Sequence, residues 1–187
     1  MTTRPRRPQF AQGGYYHLYN RGAHRQSIFR QEGDYLSVLS RMRESADLYQ
    51  IAIIAYCLMP NHYHFLVRQD GPHRAGQLAQ SIFNGYSKAF NLRYGHTGTL
   101  FEGHYQAIRV ERDAHLIHLC RYIHANPVKD GFALAPELWP YSNYLEWIGQ
   151  RNGELVDHGF VAQHFPQPQC YIAFVQDYLS GRQADVA

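Results

Sequence analysis

Met59-Pro60-Asn61-His62-Tyr63-His64-Phe65-Leu66-Val67 joins a turn signal to a strictly alternating run. In an extended strand, successive side chains point to opposite faces. His62, His64 and Leu66 therefore share one face, while Tyr63, Phe65 and Val67 make an apolar face that fixes the strand to a core. Two imidazoles at i and i+2 are half of a metal site. In a chain with 12 histidines they are equally well two ordinary half-exposed ones. The choice rests on what the remaining sequence places opposite them.

Upstream, Ile51 to Leu58 is a near-continuous apolar run, which predicts a central strand covered on both faces. The turn Met59-Pro60-Asn61 leads it into the histidine strand as an antiparallel hairpin. Tyr15 to Asn20, bounded by Gly14 and Arg21-Gly22, predicts a first strand. Residues 33–48 predict a helix built on Tyr35, Leu36, Val38, Leu39 and Met42, with Glu32 and Asp34 suited to its N-terminal dipole. Downstream, residues 75–94 predict a second helix with Ala79, Ile82, Phe83, Tyr86 and Phe90 on one stripe and Gln77, Gln80, Asn84, Lys88 and Asn91 on the other. Tyr105 to Val110 predicts a fourth strand. This order gives an α+β fold, a ferredoxin-like βαββαβ sandwich with an antiparallel sheet.

A third helix is expected from Ala114, capped by Asp113, to about Asn126, because the residue before Pro127 avoids the α region. Leu116, Ile117, Cys120 and Ile123 form its apolar face, and His115, His118, Tyr122 and Asn126 recur on the other. Residues 137–149 are an aromatic segment. The tail from 150 to 187 has the pattern of a short docking helix at 168–180, with Ile172, Phe174, Val175 and Tyr178 facing the domain. Residues 1–13, with Arg4, Arg6 and Arg7 between prolines, read as a flexible basic arm.

A length of 187 residues suits one domain with a tail, and 45% hydrophobic against 18% charged residues describes a globular chain. The net charge of +3 is compatible with nucleic acid without requiring it. The 15 tyrosines and 10 phenylalanines offer flat faces on which bases stack. Cys57, Cys120 and Cys170 are odd in number and lack a C-x-x-C, which argues against a disulfide framework or zinc finger and for a reducing cytoplasm, where a DNA partner would make the setting nucleoid-associated. No stretch approaches the roughly 20 apolar residues of a membrane span, so no membrane partner is expected.

The third helix supplies what the histidine strand lacks. Tyr122 and Asn126 lie one helical turn apart, so a nucleophile and a ligand point to the same spot. Mg²⁺ or Mn²⁺ prefers oxygen, manganese also accepts imidazole, and the Asn126 amide oxygen would join His62 and His64 while leaving positions for phosphate oxygens. A phenol with a pKa near ~10 is a weak nucleophile at neutral pH, so its attack on phosphorus needs such an ion. Basic candidates for contact with a DNA backbone are Arg4, Arg6, Arg7, Arg21, Lys88, Arg93, Arg109 and Lys129.

These residues carry a resemblance. Met59 to Phe65 resembles the His-hydrophobe-His (HUH) signature of single-strand tyrosine transposases of the TnpA-like superfamily. Arg121-Tyr122-Ile123-His124-Ala125-Asn126-Pro127-Val128-Lys129-Asp130-Gly131 is similar to their tyrosine helix and its exit. The resemblance is to the REP-associated tyrosine transposases, and it runs over residues 14–148 in the expected order, including Tyr19 to Gly22 and Gly98 to Gly103. His104 stands where many relatives carry arginine. The resemblance implies an HUH-type domain over 14–149, with His62, His64 and Asn126 as metal ligands and Tyr122 as nucleophile. It further implies a Mg²⁺- or Mn²⁺-dependent single-stranded DNA endonuclease and strand transferase. Such an enzyme acts beside DNA hairpins through a 5′-phosphotyrosine, as a monomer or homodimer. A replication-initiator-type nickase and a non-catalytic single-stranded nucleic-acid-binding module on the same sheet are the alternatives; the binding module has no need of Tyr122 opposite a histidine pair.

Overall fold

The computed structural model describes residues 8–181. Four strands, β1 (Tyr15–Arg21), β2 (Ile51–Met59), β3 (His62–Gln69) and β4 (Gln106–Val110), form one antiparallel sheet in the order β2-β3-β1-β4. Helices α1 (Glu32–Tyr49) and α2 (Gly76–Tyr94) connect β1 to β2 and β3 to β4, which is the ferredoxin-like arrangement the sequence predicts. After β4 come α3 (Asp113–Lys129), the short α4 (Tyr144–Trp147), α5 (His158–His164) and α6 (Pro168–Leu179).

The alternation in β3 divides the core in two. Tyr63, Phe65 and Val67 join Tyr16 and Leu18 of β1 beneath α1 and α2. Leu66 faces the other way, into a second cluster made with Leu116, Cys120 and Ile123 of α3, Trp147 of α4, and Tyr171 and Val175 of α6. The sheet is thus the middle of three layers.

Strand β2 departs from the expectation of a central strand. It lies at the edge of the sheet, yet all of its residues but Ala52 are buried. The chain at 141–143 closes that edge: Leu58 N donates to Tyr141 O at 2.9 Å, and Cys57 bridges Ser142. A bulge between Ile53 and Ala55 lets Ile53 and Tyr56 face the first core while Ile54 and Ala55 both face the second. Asn143 satisfies the groups the bulge frees, accepting from Tyr56 N at 2.8 Å and donating to Ile54 O at 2.9 Å. A buried edge needs such partners because unpaired backbone groups are costly out of water.

Helix α3 also differs from its expected limits. Arg112 is its N-cap and Asp113 its first residue, and the helix passes through Pro127 to Lys129. The proline removes one helical N–H, but its carbonyl accepts from Phe132 N at 2.8 Å and Ala133 N at 3.1 Å, which binds the helix exit. Of the segment read as an arm, Arg4, Arg6 and Arg7 lie outside the described residues. Residues 8–13 pack on the domain: Phe10 lies 4.8 Å from the Tyr16 ring, and Ala11 N donates to Tyr16 Oη at 2.7 Å.

Candidate active site

The turn after β2 sets the first histidine. Asn61, its turn residue, places Oδ1 2.7 Å from His62 Nδ1; an amide oxygen accepts, so this orientation matches the tautomer with the proton on Nδ1 and the lone pair on Nε2. Two residues on, His64 is almost wholly buried, and its Nδ1 lies 2.9 Å from Nε2 of His17 on β1. The two β3 rings stand 5.1 Å apart and nearly perpendicular. Each therefore has Nδ1 engaged by a neighbouring side chain, while Nε2 makes no hydrogen bond among the described residues; that of His62 faces Asp130 Oδ2 at 3.8 Å.

Tyr122 reaches this pair from α3, its ring 5.5 Å from that of His64 in an edge-to-face contact. A cleft of about 630 Å³ opens here, with His62, His64 and Tyr122 in its wall beside Tyr19, Asn20, Arg21, Arg25, Asn61, Glu102, His104, Gln106 and Asp130. A larger cleft of about 890 Å³ between α2 and residues 98–107 shares Glu102, His104 and Gln106 with it. The two are continuous along the surface.

Burial controls the protonation of the site. It holds His64 well below the ordinary histidine value, with His17 and His62 adding to the effect. His62 is lowered by burial too, against the pull of Asp130, whose Oδ2 lies 3.8 Å from Nε2. His17 falls to about 4, from burial and then from His115. Neutral imidazole, the form that ligates metals, is therefore the resting state at neutral pH. The Tyr122 phenol is raised by burial, opposed by the neighbouring Asn126 amide, so it does not ionise unaided.

The C-terminal helix grips the back of α3. Tyr171 Oη lies 2.5 Å from His124 Nδ1, and His124 Nε2 lies 2.8 Å from Asn143 Oδ1, so a buried chain of hydrogen bonds runs from α6 through α3 to the β2 bulge. The Arg121 guanidinium lies over the rings of Phe174 at 4.3 Å and Tyr178 at 4.9 Å. Lys129 Nζ donates to Tyr178 Oη at 2.9 Å. The tail, expected only to dock, fixes the helix that carries Tyr122.

The profile of the family described as "Transposase IS200 like" matches residues 11–126, well over half of the chain. The chain belongs to the IS200-like transposase family. Its fold matches the structure of a REP-associated tyrosine transposase bound to a REP hairpin, with a TM-score of 0.67 and 15% identity over 83% of this chain and 94% of that one. A candidate transposase from Deinococcus radiodurans R1 is 16% identical over 66% of this chain and 95% of its own, with a TM-score of 0.43. Among curated proteins, none matches the chain in sequence.

IS200-like transposases typically depend on a metal ion, and the residues here can be tested against one. His62 and His64 offer two Nε2 atoms that make no hydrogen bond among the described residues, that of His62 beside Asp130. Among the described residues no three His, Cys, Asp or Glu side chains come close enough to hold a metal, so a further protein ligand has to be an amide or another group. Asn126 answers to that: it is 5% exposed, and its Nδ2 is buried without a hydrogen-bond partner. Turning the amide over puts an unpartnered oxygen there instead, which a cation would satisfy. The donor set fits. Asn126 is nevertheless absent from the cleft wall, where Asp130 stands nearest His62.

The basic candidates of this transposase-family chain fall into three groups. Arg21 lines the cleft and pairs with Glu102 at 2.9 Å, and Lys88 and Arg109 are exposed on α2 and β4. Lys129 is held by Tyr178. Arg93 pairs at 2.8 Å with Asp34, a buried carboxylate that also accepts from Tyr94 Oη, which makes it a structural arginine. Sequence reasoning missed His17, Arg25 and Asp130. His17 shares the parity of Tyr15 and Tyr19 along β1, a signal that points to the His64 face only once β1 is known to pair with β3. Arg25 follows His24 in a turn where both have positive φ, 53° and 59°, a strained pair that aims the guanidinium into the cleft.

Proposed function

We propose that the protein is a metal-dependent single-stranded DNA endonuclease and strand transferase, a transposase that cuts beside DNA hairpins and holds the cut end on Tyr122. The observation that carries this reading is the approach of the Tyr122 ring from α3 to 5.5 Å from His64 in an open polar cleft; the Tyr19 ring also stands 5.8 Å from His64, but it comes from the sheet itself and stacks on His17.

Mg²⁺ or Mn²⁺ held by His62, His64 and Asn126 would act as a Lewis acid on the scissile phosphate. His62 and His64 supply neutral Nε2 donors and Asn126 an amide oxygen. Tyr122 Oη attacks phosphorus and loses its proton to water in the cleft. The bond from phosphorus to the 3′ oxygen breaks, and that oxygen takes a proton to leave a free 3′ hydroxyl. The 5′ phosphate stays on Tyr122, so the phosphoester remains available for transfer to another 3′ hydroxyl. Arg25 in the cleft wall contributes charge for the strand entering it, with Arg21 beside it paired to Glu102, and the adjoining cleft along 98–107 gives that strand a continuous path. A transposase of the same fold has been solved with a REP hairpin, which supports a hairpin-bearing single strand as the partner.

Single-stranded DNA with a 5′ hairpin, incubated with the protein and Mn²⁺, should give an adduct that survives denaturing electrophoresis. Tyr122→Phe should lose the adduct and still bind DNA. His64→Ala should lose cleavage with binding largely kept, since affinity comes mainly from phosphate neutralisation elsewhere. An adduct in Tyr122→Phe, or one mapped to another tyrosine, would overturn the reading.

A further inference from the structure

We propose that His17 is a positioning residue for the histidine pair: it fixes His64 as the tautomer protonated on Nδ1, with Nε2 aimed at the cleft. The inference rests on the reading of His64 as a metal ligand. It concerns a residue of β1 that does not line the cleft.

The placement follows from strand register. Tyr19 lies directly opposite His64, and His17 opposite Leu66, so His17 and His64 are diagonal neighbours on the same face. That diagonal brings His17 Nε2 to 2.9 Å from His64 Nδ1. Both residues are 7% exposed, so water has little access to the two nitrogens that face each other. Tyr19 stacks on His17 at 4.7 Å with an interplanar angle of 27°, which holds the His17 ring in place.

One hydrogen lies between the two nitrogens, and the role of His64 decides which carries it. A ligating Nε2 needs its lone pair, so the neutral His64 ring must be protonated on Nδ1 and donate to His17 Nε2. His17 is then protonated on its own Nδ1. His62 reaches the same tautomer by a simpler route, because its partner is the Oδ1 of Asn61, 2.7 Å away. An amide oxygen only accepts. His64 sits in the middle of a strand whose backbone carbonyls serve the sheet, so an acceptor for its Nδ1 has to be a side chain from the next strand. The pair therefore presents two equivalent Nε2 donors through two different devices. Such outer partners orient a ligating imidazole and raise its basicity.

The test uses the full chain, with a readout that needs no metal. Long-range ¹H–¹⁵N spectra of the histidine rings report the tautomer of each, with His64 assigned by its loss in His64→Ala. The wild-type His64 ring should show Nδ1–H, His17→Leu should give a mixture of tautomers, and His17→Gln, whose amide oxygen accepts, should restore the wild-type form. Mn²⁺ affinity should fall ~10–100-fold in His17→Leu and recover largely in His17→Gln. A wild-type His64 protonated on Nε2, or Mn²⁺ affinity unchanged in a folded His17→Leu, overturns the proposal. If the tautomers behave as stated but Mn²⁺ binding survives His64→Ala, the metal reading of the histidine pair fails while the control of His64 by His17 stands. Should His17→Leu not fold, the wild-type tautomer and the His17→Gln comparison still decide.

Discussion

The two faces of the sheet are built on opposite principles. Under α1 and α2 the sheet surface is aromatic and aliphatic except for Gln69 at the end of β3, with Tyr16, Leu18, Tyr63, Phe65 and Val67 side by side. On the α3 side the apolar cluster is crossed by buried polar groups: His17, His64, His124, Asn126 and Asn143. An apolar face specifies a fold and tolerates local change, because its contacts are many and non-directional. A buried polar seam stands or falls by complete pairing. One face holds the sheet together; the other holds side chains in orientation.

Neighbouring tyrosines should separate the two most widely. Tyr63 is 1% exposed and stacks on Phe83 at 4.0 Å, so Tyr63→Ala should cost roughly 3–5 kcal/mol of stability, read as a shift in the urea midpoint. Tyr122→Phe should leave that midpoint nearly unchanged while abolishing the DNA adduct. A large stability loss in Tyr122→Phe would mean that the phenol hydroxyl is structural, and the contrast between the faces would collapse.

Acid should distinguish them next. His124 is wholly buried on the α3 side, and burial lowers it to about 4. Its unfolded value is near 6.5, so below that pH the unfolded chain takes up a proton that the folded chain refuses. Stability is complete above about pH 6.5 and declines as pH falls toward 4, where the folded form protonates too. At pH 5 the expected loss from this one residue is about 2 kcal/mol. His17 is lowered by the same cause, so the effects add. Urea unfolding at pH 7 and pH 5 measures the loss, and His124→Gln should make the two curves differ by about 2 kcal/mol less. An unaltered pH dependence in that variant would show that His124 does not carry the lability.

The apolar face was legible in the sequence, because alternation in β3 and the stripes of α1 and α2 are local patterns. That His62 and His64 share a face and that Tyr122 turns toward them was legible too, from strand and helix periods and a family resemblance, whereas Asn126 does not line the cleft. Partnerships across distant segments were not. The edge position of β2 is disguised by residues 141–143, some 85 positions away, which give an edge strand the composition of a central one. The helix was expected to stop before Pro127, since its continuation depends on a carbonyl capture by Phe132 and Ala133 that no periodicity announces. His17 was invisible as a partner of His64 because its role lies in the register of β1 against β3. α5 is only seven residues long, too short for a helical period to stand out.

The finest test sorts two arginines that the sequence treats alike. Arg93 and Arg109 were both candidates for DNA contact, yet Arg93 closes on the buried carboxylate of Asp34, which also accepts from the backbone N–H groups of Arg30 and Gln31 just ahead of α1. Arg109 stands exposed on β4 and forms no ion pair among the described residues. A guanidinium already facing a carboxylate releases few counterions when DNA arrives, whereas a free one releases about one. Arg109→Ala should therefore weaken hairpin binding modestly and reduce the slope of log affinity against log salt by about 1. Arg93→Ala should leave the slope as it is and lower the melting temperature instead, because Asp34 loses a charged partner. Affinity measured over a salt series, with thermal unfolding of the same samples, reads both effects at once. An unchanged slope in Arg109→Ala would take the β4 edge out of the DNA path, and a reduced slope in Arg93→Ala would mean that the Asp34 pair opens to DNA, so that charge on the apolar side of the sheet also serves binding.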